Sequence, residues 1–98
     1  MALVDLRGRA ASLGEAWSSV VVAGFGDARL KVLRMDAAAY PEEVHDYREG
    51  LLVLDGEMRL RIGGDTVLVK AGEVYVVEPG VAHAVEPGSH GTLAILDS

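Results

Sequence analysis

A chain of 98 residues, half of them apolar, is expected to form one domain around a single core, which excludes a disordered segment. Nine basic against 15 acidic residues give a net charge of −6 with no cluster of Lys or Arg, so neither nucleic acid nor an anionic membrane is an expected partner. The absence of cysteine excludes disulfides, thiolate metal sites and cysteine nucleophiles.

From Met1 to Gly14, Asp5, Arg7 and Arg9 interrupt any apolar run of signal-peptide length, and no later stretch approaches a membrane span. A cytoplasmic protein is therefore expected. Ala2 to Leu6 reads as a short edge strand. Between Ala10 and Ala16, Ser12 with Glu15 three residues on has the capping-box pattern of a single helical turn. The β-branched run Val20-Val21-Val22 predicts a strand over Trp17 to Ala23, closed by a turn at Gly24-Phe25-Gly26-Asp27. The next strand places Leu30, Val32 and Arg34 on one face and Lys31, Leu33 and Met35 on the other. Ala37-Ala38-Ala39 has helical propensity, but Pro41 follows too closely, so a strand end or loop is expected.

The second half is punctuated by glycine. Gly50 to Leu54 is an apolar strand, and Asp55-Gly56 is a pair suited to a hairpin turn. Met58, Leu60 and Ile62 alternate with Glu57, Arg59 and Arg61, the pattern of a half-buried strand. Turns at Gly63-Gly64-Asp65, Ala71-Gly72 and Pro79-Gly80 separate Val67 to Val69, Val74 to Val77 and Ala82 to Val85. Thr92 to Leu96 is the last strand. Short strands with turns every 8–12 residues or so predict an all-β sandwich or barrel.

Four residues carry metal-ligand chemistry. Glu43 and His45, two apart, leave the same face of an extended strand. Glu49 follows a kink at Asp46 to Arg48 and enters an apolar run, where a carboxylate is costly to bury without a cation or donor. His83 follows the Pro79-Gly80 turn. Two imidazoles and a carboxylate suit Mn, Fe, Co, Ni or Zn and leave positions open for a small ligand. Glu43, beside Glu42, reads on its own as a solvated loop carboxylate; as a fourth ligand it would close one position and add negative charge. The bland alternative is a pair of hydrogen-bonded histidines in a barrel without metal. His90 reads as a surface residue, Arg34, Arg59 and Arg61 as solvent-facing, and Tyr40, Tyr47 and Tyr75 as packed strand tyrosines. None of the glycines forms a phosphate loop, and Ser89-His90 has no third group to orient it.

These spacings resemble the cupin superfamily. His45-x3-Glu49-x6-Gly56 matches the end of its first motif, and Gly72-x5-Glu78-Pro79-Gly80-x2-His83 matches the second. Glu43 stands where the family has the first histidine of its pair, Glu78 where it has proline, and Pro87 where it has asparagine. The leading glycine is absent. A register with four residues between histidine and glutamate would put Val44, which has no donor atom, at the ligand position. The resemblance covers Tyr40 to Leu96 well and residues 1–39 loosely. It implies a single cupin domain over 1–98, with N-terminal strands over 1–39 and the motif core over 40–96, folded as a double-stranded β-helix or jelly-roll barrel. It further implies a divalent metal held by His45, Glu49 and His83, with Glu43 optional, a small polar or anionic organic ligand, and a homodimer. Isomerase-like and dioxygenase-like reactions are both implied, and a non-catalytic ligand-binding or dimerisation barrel with a degenerate, metal-free site is the alternative. Exposed Val or Leu on the N-terminal strands would favour an oligomerisation role.

Overall fold

A computed structural model describes residues 3–98. One short helix, α1 (Leu6–Ala11), precedes eight strands: β1 (Val20–Phe25), β2 (Ala28–Asp36), β3 (Tyr40–Glu43), β4 (Glu49–Ile62), β5 (Asp65–Lys70), β6 (Val74–Val77), β7 (His83–Val85) and β8 (His90–Asp97). The expected edge strand at Ala2 to Leu6 does not form: Ala2 lies outside the described residues, and Leu6 opens the helix. Asp5 is the N-cap, its carboxylate accepting the Gly8 N–H at 3.1 Å. Ser12 ends that helix at its C-cap instead of starting another, so the Ser12–Glu15 capping box is not used. Strand β1 begins three residues later than expected and leaves Trp17 outside it, at φ 65°.

The sheet runs β1-β2-β8-β4-β7-β3, with β5 and β6 also paired to β4, every pair antiparallel. Strand β4 organises the barrel. Its first half pairs with β6 and β8, and its second half with β5 and β7, so one chain segment passes from one layer into the other. The passage falls at Asp55-Gly56. That pair is not the hairpin turn expected from its composition; it lies in a continuous strand, next to a register shift against β8. Gly56 (φ 75°) there faces Gly91 (φ 101°), and the two backbones approach too closely for a side chain on either.

The turn expected over Gly24 to Asp27 is confined to Gly26-Asp27, because Gly24 and Phe25 pair with Arg29 and Ala28 as the end of β1; the other turns are as expected. Gly63-Gly64 joins Ile62 to Asp65, Ala71-Gly72 separates β5 from β6, and Ala37 to Ala39 is a bend. Between the layers lie Leu33, Met35, Leu51, Val53, Met58 and Leu60, with β5, β6 and β8 contributing Val69, Val77, Leu93 and Ile95. The opposite face of β2 is buried too: Val32 and Ala94 pack against Ala10 of α1. Beyond α1 that outer face is bare, with Phe25, Val74, Val76 and Leu96 all exposed. Among the described residues, no helix is long and apolar enough to cross a membrane.

Candidate metal centre

Three chain segments meet at one end of the barrel. Pairing of β3 with β7 sets Glu43 opposite His83, and β4 begins at Glu49. His45 lies just beyond β3, where its carbonyl accepts the Gly80 N–H at 2.8 Å and its ring stacks on Tyr47 at 4.7 Å. The four residues singled out in the sequence converge. His45 Nε2 is 2.9 Å from Glu43 Oε2 and 3.8 Å from Glu49 Oε2, and His83 Nε2 is 3.3 Å from Glu49 Oε1. Glu43, His45 and His83 each offer a ligand atom within 4.8 Å of the others, so they can hold a divalent ion. Glu43 is thus no free loop carboxylate. Glu49 is buried against both rings, as its place in an apolar run required.

The hydrogen-bond pattern sharpens the point. His83 Nδ1 is 3.1 Å from the Val81 carbonyl, which can only accept, so Nδ1 carries the proton and Nε2 of the neutral ring presents a lone pair. That lone pair faces a carboxylate oxygen. His45 Nε2 is buried and lacks a hydrogen-bond partner, despite the close approach of Glu43. Two nitrogens and two carboxylates thus crowd a point at which His83 offers only a lone pair while neutral and His45 Nε2 makes no hydrogen bond. A divalent cation is what such a donor set fits.

Beside the cluster is a cavity of about 70 Å³, with Glu43, Glu49 and His83 on one side and Trp17, Tyr40 and Met58 among its apolar walls. The charge of Glu43, and then burial, push the Tyr40 hydroxyl above its ordinary range, which keeps it a neutral donor. Burial, and then the Glu49 charge, do the same for Tyr47.

Sequence reasoning missed Trp17. Its indole N–H donates to Asp36 Oδ1 at 2.6 Å, its backbone N–H to the Arg34 carbonyl at 2.9 Å, and its ring lies 5.6 Å from Tyr40. The Trp17 bond foremost, with the Ala38 N–H, holds the Asp36 carboxyl below its ordinary 3.8. A depressed carboxyl contributes stability above its unfolded value and loses it as pH falls through the folded one. Acidification should therefore shift Trp17 fluorescence only below that ordinary value. In Asp36→Asn the shift should be absent; an unchanged transition in that variant would rule out the contact as its source.

A second missed group is Asp97 on the inner face of β8, whose carboxylate meets Arg29 at 3.1 Å and Lys31 at 2.6 Å. Burial raises its pKa, but the two cations more than offset this and hold it below its usual range. Arg59 and Arg61 face solvent as expected. Arg34 does not: it is half-buried and donates to the Leu13 carbonyl at 3.1 Å. His90 is exposed, with Nδ1 3.0 Å from the Gly88 carbonyl, and takes no part in the cluster.

A sequence model of the cupin domain matches residues 32–98. The chain belongs to the cupin family. No curated protein matches the sequence. Among solved structures, the cupin is similar to a cupin-2 domain protein of Shewanella frigidimarina, at 21% identity and TM-score 0.87 over 96% of this chain and 92% of that one. A Neisseria meningitidis protein aligns at 18% identity and TM-score 0.84 over 98% of both chains. KdgF from a Halomonas species aligns at 19% identity and TM-score 0.71, covering 82% of this cupin and 76% of that chain. At these identities the likeness establishes the jelly-roll fold, not a shared reaction.

Proposed function

We propose that this cupin holds one divalent transition metal, drawn from Mn, Fe, Co, Ni and Zn, between Glu43, His45, Glu49 and His83, and admits a small polar organic ligand to the adjoining cavity. The observation that carries the reading is the buried His45 Nε2 with no hydrogen-bond partner, set among carboxylates that can only accept when ionised. When bound, the ion supplies Lewis-acid polarisation of a carbonyl or, for a redox metal, chemistry toward dioxygen. The chain's own part is positional. His83 is oriented by Val81, Tyr40 offers a neutral hydroxyl, and Glu43, the more exposed carboxylate, can exchange a proton with solvent. An isomerase-like or a dioxygenase-like reaction is compatible with that arrangement. A non-catalytic ligand-binding barrel with a degenerate, metal-free site is the second reading, favoured because Glu43 stands where the family has a histidine and its carboxylate lies 2.9 Å from His45 Nε2, close enough for the two to pair without an ion.

The single tryptophan of the chain lines the cavity, so its fluorescence reports on the site. Titration with Co²⁺ should quench Trp17 and saturate at one ion per chain, with Zn²⁺ competing and a chelator reversing the effect. Absence of saturable binding by folded protein would sink the metal reading.

The same proposal extends to a cytoplasmic homodimer. Each copy carries a charge of −6, yet the outer-face patch of Phe25, Leu30, Leu52, Val74, Val76 and Leu96 pairs only with apolar residues and glycine, the ionisable Arg34, Asp36 and His90 lying further along β2 and β8. Gly50 flattens its centre, between Leu96 and Val74. Two copies can meet there without bringing charges together. Sedimentation should show a dimer that Val76→Asp dissociates; a parent monomeric at every concentration would exclude it.

A further inference from the structure

We infer that the cavity selects a compact, uncharged ligand that chelates through two neighbouring oxygens, such as a short hydroxyketone, and that Trp17 sets its size limit. This rests on the metal reading above and adds the substrate class. Charge is the first consideration. With both carboxylates ionised and all four side chains ligating, as proposed above, Glu43 and Glu49 would balance a divalent ion and neutral His83 and His45 would add nothing, leaving the loaded centre without net charge. An anion arriving there would place an unbalanced charge against walls made of Leu51, Met58, Val85, Leu93 and Ile95. No lysine or arginine lines the cavity to relieve it: Arg29 and Lys31 pair with Asp97, Arg48 pairs with Glu78, and the chain as a whole carries −6. A neutral carbonyl or hydroxyl oxygen escapes that penalty, and four protein donors leave room for about two such oxygens on a six-coordinate ion.

Size is the second consideration. The cavity of about 70 Å³ exceeds the roughly 30 Å³ share of one water but is about half of an apolar cavity that admits benzene. Its inner part therefore holds a methyl- or ethyl-sized body and leaves an aromatic ring short of room. One wall is the Trp17 indole, fixed by Asp36 on one side and packed against Tyr40 on the other. Trp17 is held at φ 65°, in the left-handed region that L residues rarely adopt. Asp36, itself outside the cavity, acts as the positioning residue for that wall.

Calorimetry on the full chain loaded with Zn²⁺ tests the inference. Hydroxyacetone should bind saturably, lactate about tenfold or more weakly, and 2-hydroxyacetophenone not at all. Trp17→Ala should admit 2-hydroxyacetophenone while retaining zinc, and Trp17→Phe should give intermediate selectivity. Lactate binding as tightly as hydroxyacetone, hydroxyacetone failing to bind zinc-loaded protein, or 2-hydroxyacetophenone binding the parent equally well would overturn it. These outcomes concern the parent and hold even if Trp17→Ala fails to fold. Failure to take up zinc at all would instead overturn the metal reading, and this inference with it.

Discussion

Gly56→Ala should unfold the barrel or come close to it. A Cβ built at Gly56 falls 2.1 Å from the His90 carbonyl oxygen, 2.8 Å from its carbon and 3.0 Å from the Gly91 Cα. All three are backbone atoms of the strand paired with β4, so relief requires breaking the ladder that joins the layers. The left-handed φ adds about 1–2 kcal/mol for any L residue. Together these should exceed about 4 kcal/mol, against about 5–15 kcal/mol for the whole of a typical domain. Gly63→Ala is the matched control. Its φ is 60°, but nothing lies within 4 Å of its Cβ, so only the conformational part, about 1–2 kcal/mol, should be lost. Urea unfolding of the two variants separates the contributions. Equal midpoints would mean that the Gly56–Gly91 approach is not the constraint it looks to be.

Glu49→Gln should move metal affinity and metal-free stability in opposite directions. In the ion-free protein at pH about 8, where imidazole is ordinarily neutral, the buried Glu49 carboxylate faces the ring nitrogens with no cation to balance it. An amide there is uncharged and can donate to His83 Nε2, so thermal stability without metal should hold or rise. The same change removes an anionic ligand, and affinity for Zn²⁺ should fall about a hundredfold or more. That figure lies at or above what loss of a ligand's supporting partner usually costs. His83→Ala should lose metal just as severely but also lower metal-free stability by about 1–3 kcal/mol, because the Val81 carbonyl loses its donor and Glu49 its neighbour. If Glu49→Gln destabilised the ion-free protein as much as His83→Ala, the four residues would be a structural hydrogen-bond network and not a ligand set.

How much of this was legible in the sequence depended on whether the deciding contact was local. The turns at Gly63-Gly64 and Ala71-Gly72 were, because positive φ at glycine is a property of the tetrapeptide. Asp55-Gly56 has the same local chemistry, yet its neighbour across the ladder is Gly91, far along the chain, and that partner makes the pair part of a continuous strand. The helix at Leu6–Ala11 is too short to display a period, and its one clear signal, Asp5 as cap, is ambiguous among the charged residues around it. His45, Glu49 and His83 were legible from spacing. Glu43 was legible beside His45 from its spacing, but only as an optional ligand; the pairing of β3 with β7, which sets it opposite His83, makes it one of the three residues that can share an ion. Trp17 had no signal of its own; its place follows from a left-handed backbone and from Asp36, 19 residues later.

Trp17 also precedes residue 32, where the match to the cupin domain begins. On the reading proposed above, the indole that bounds the cavity therefore comes from outside the matched stretch, while the other walls and the four residues proposed to hold the ion come from within it, so a change in the lead segment would reshape the cavity without touching a proposed ligand.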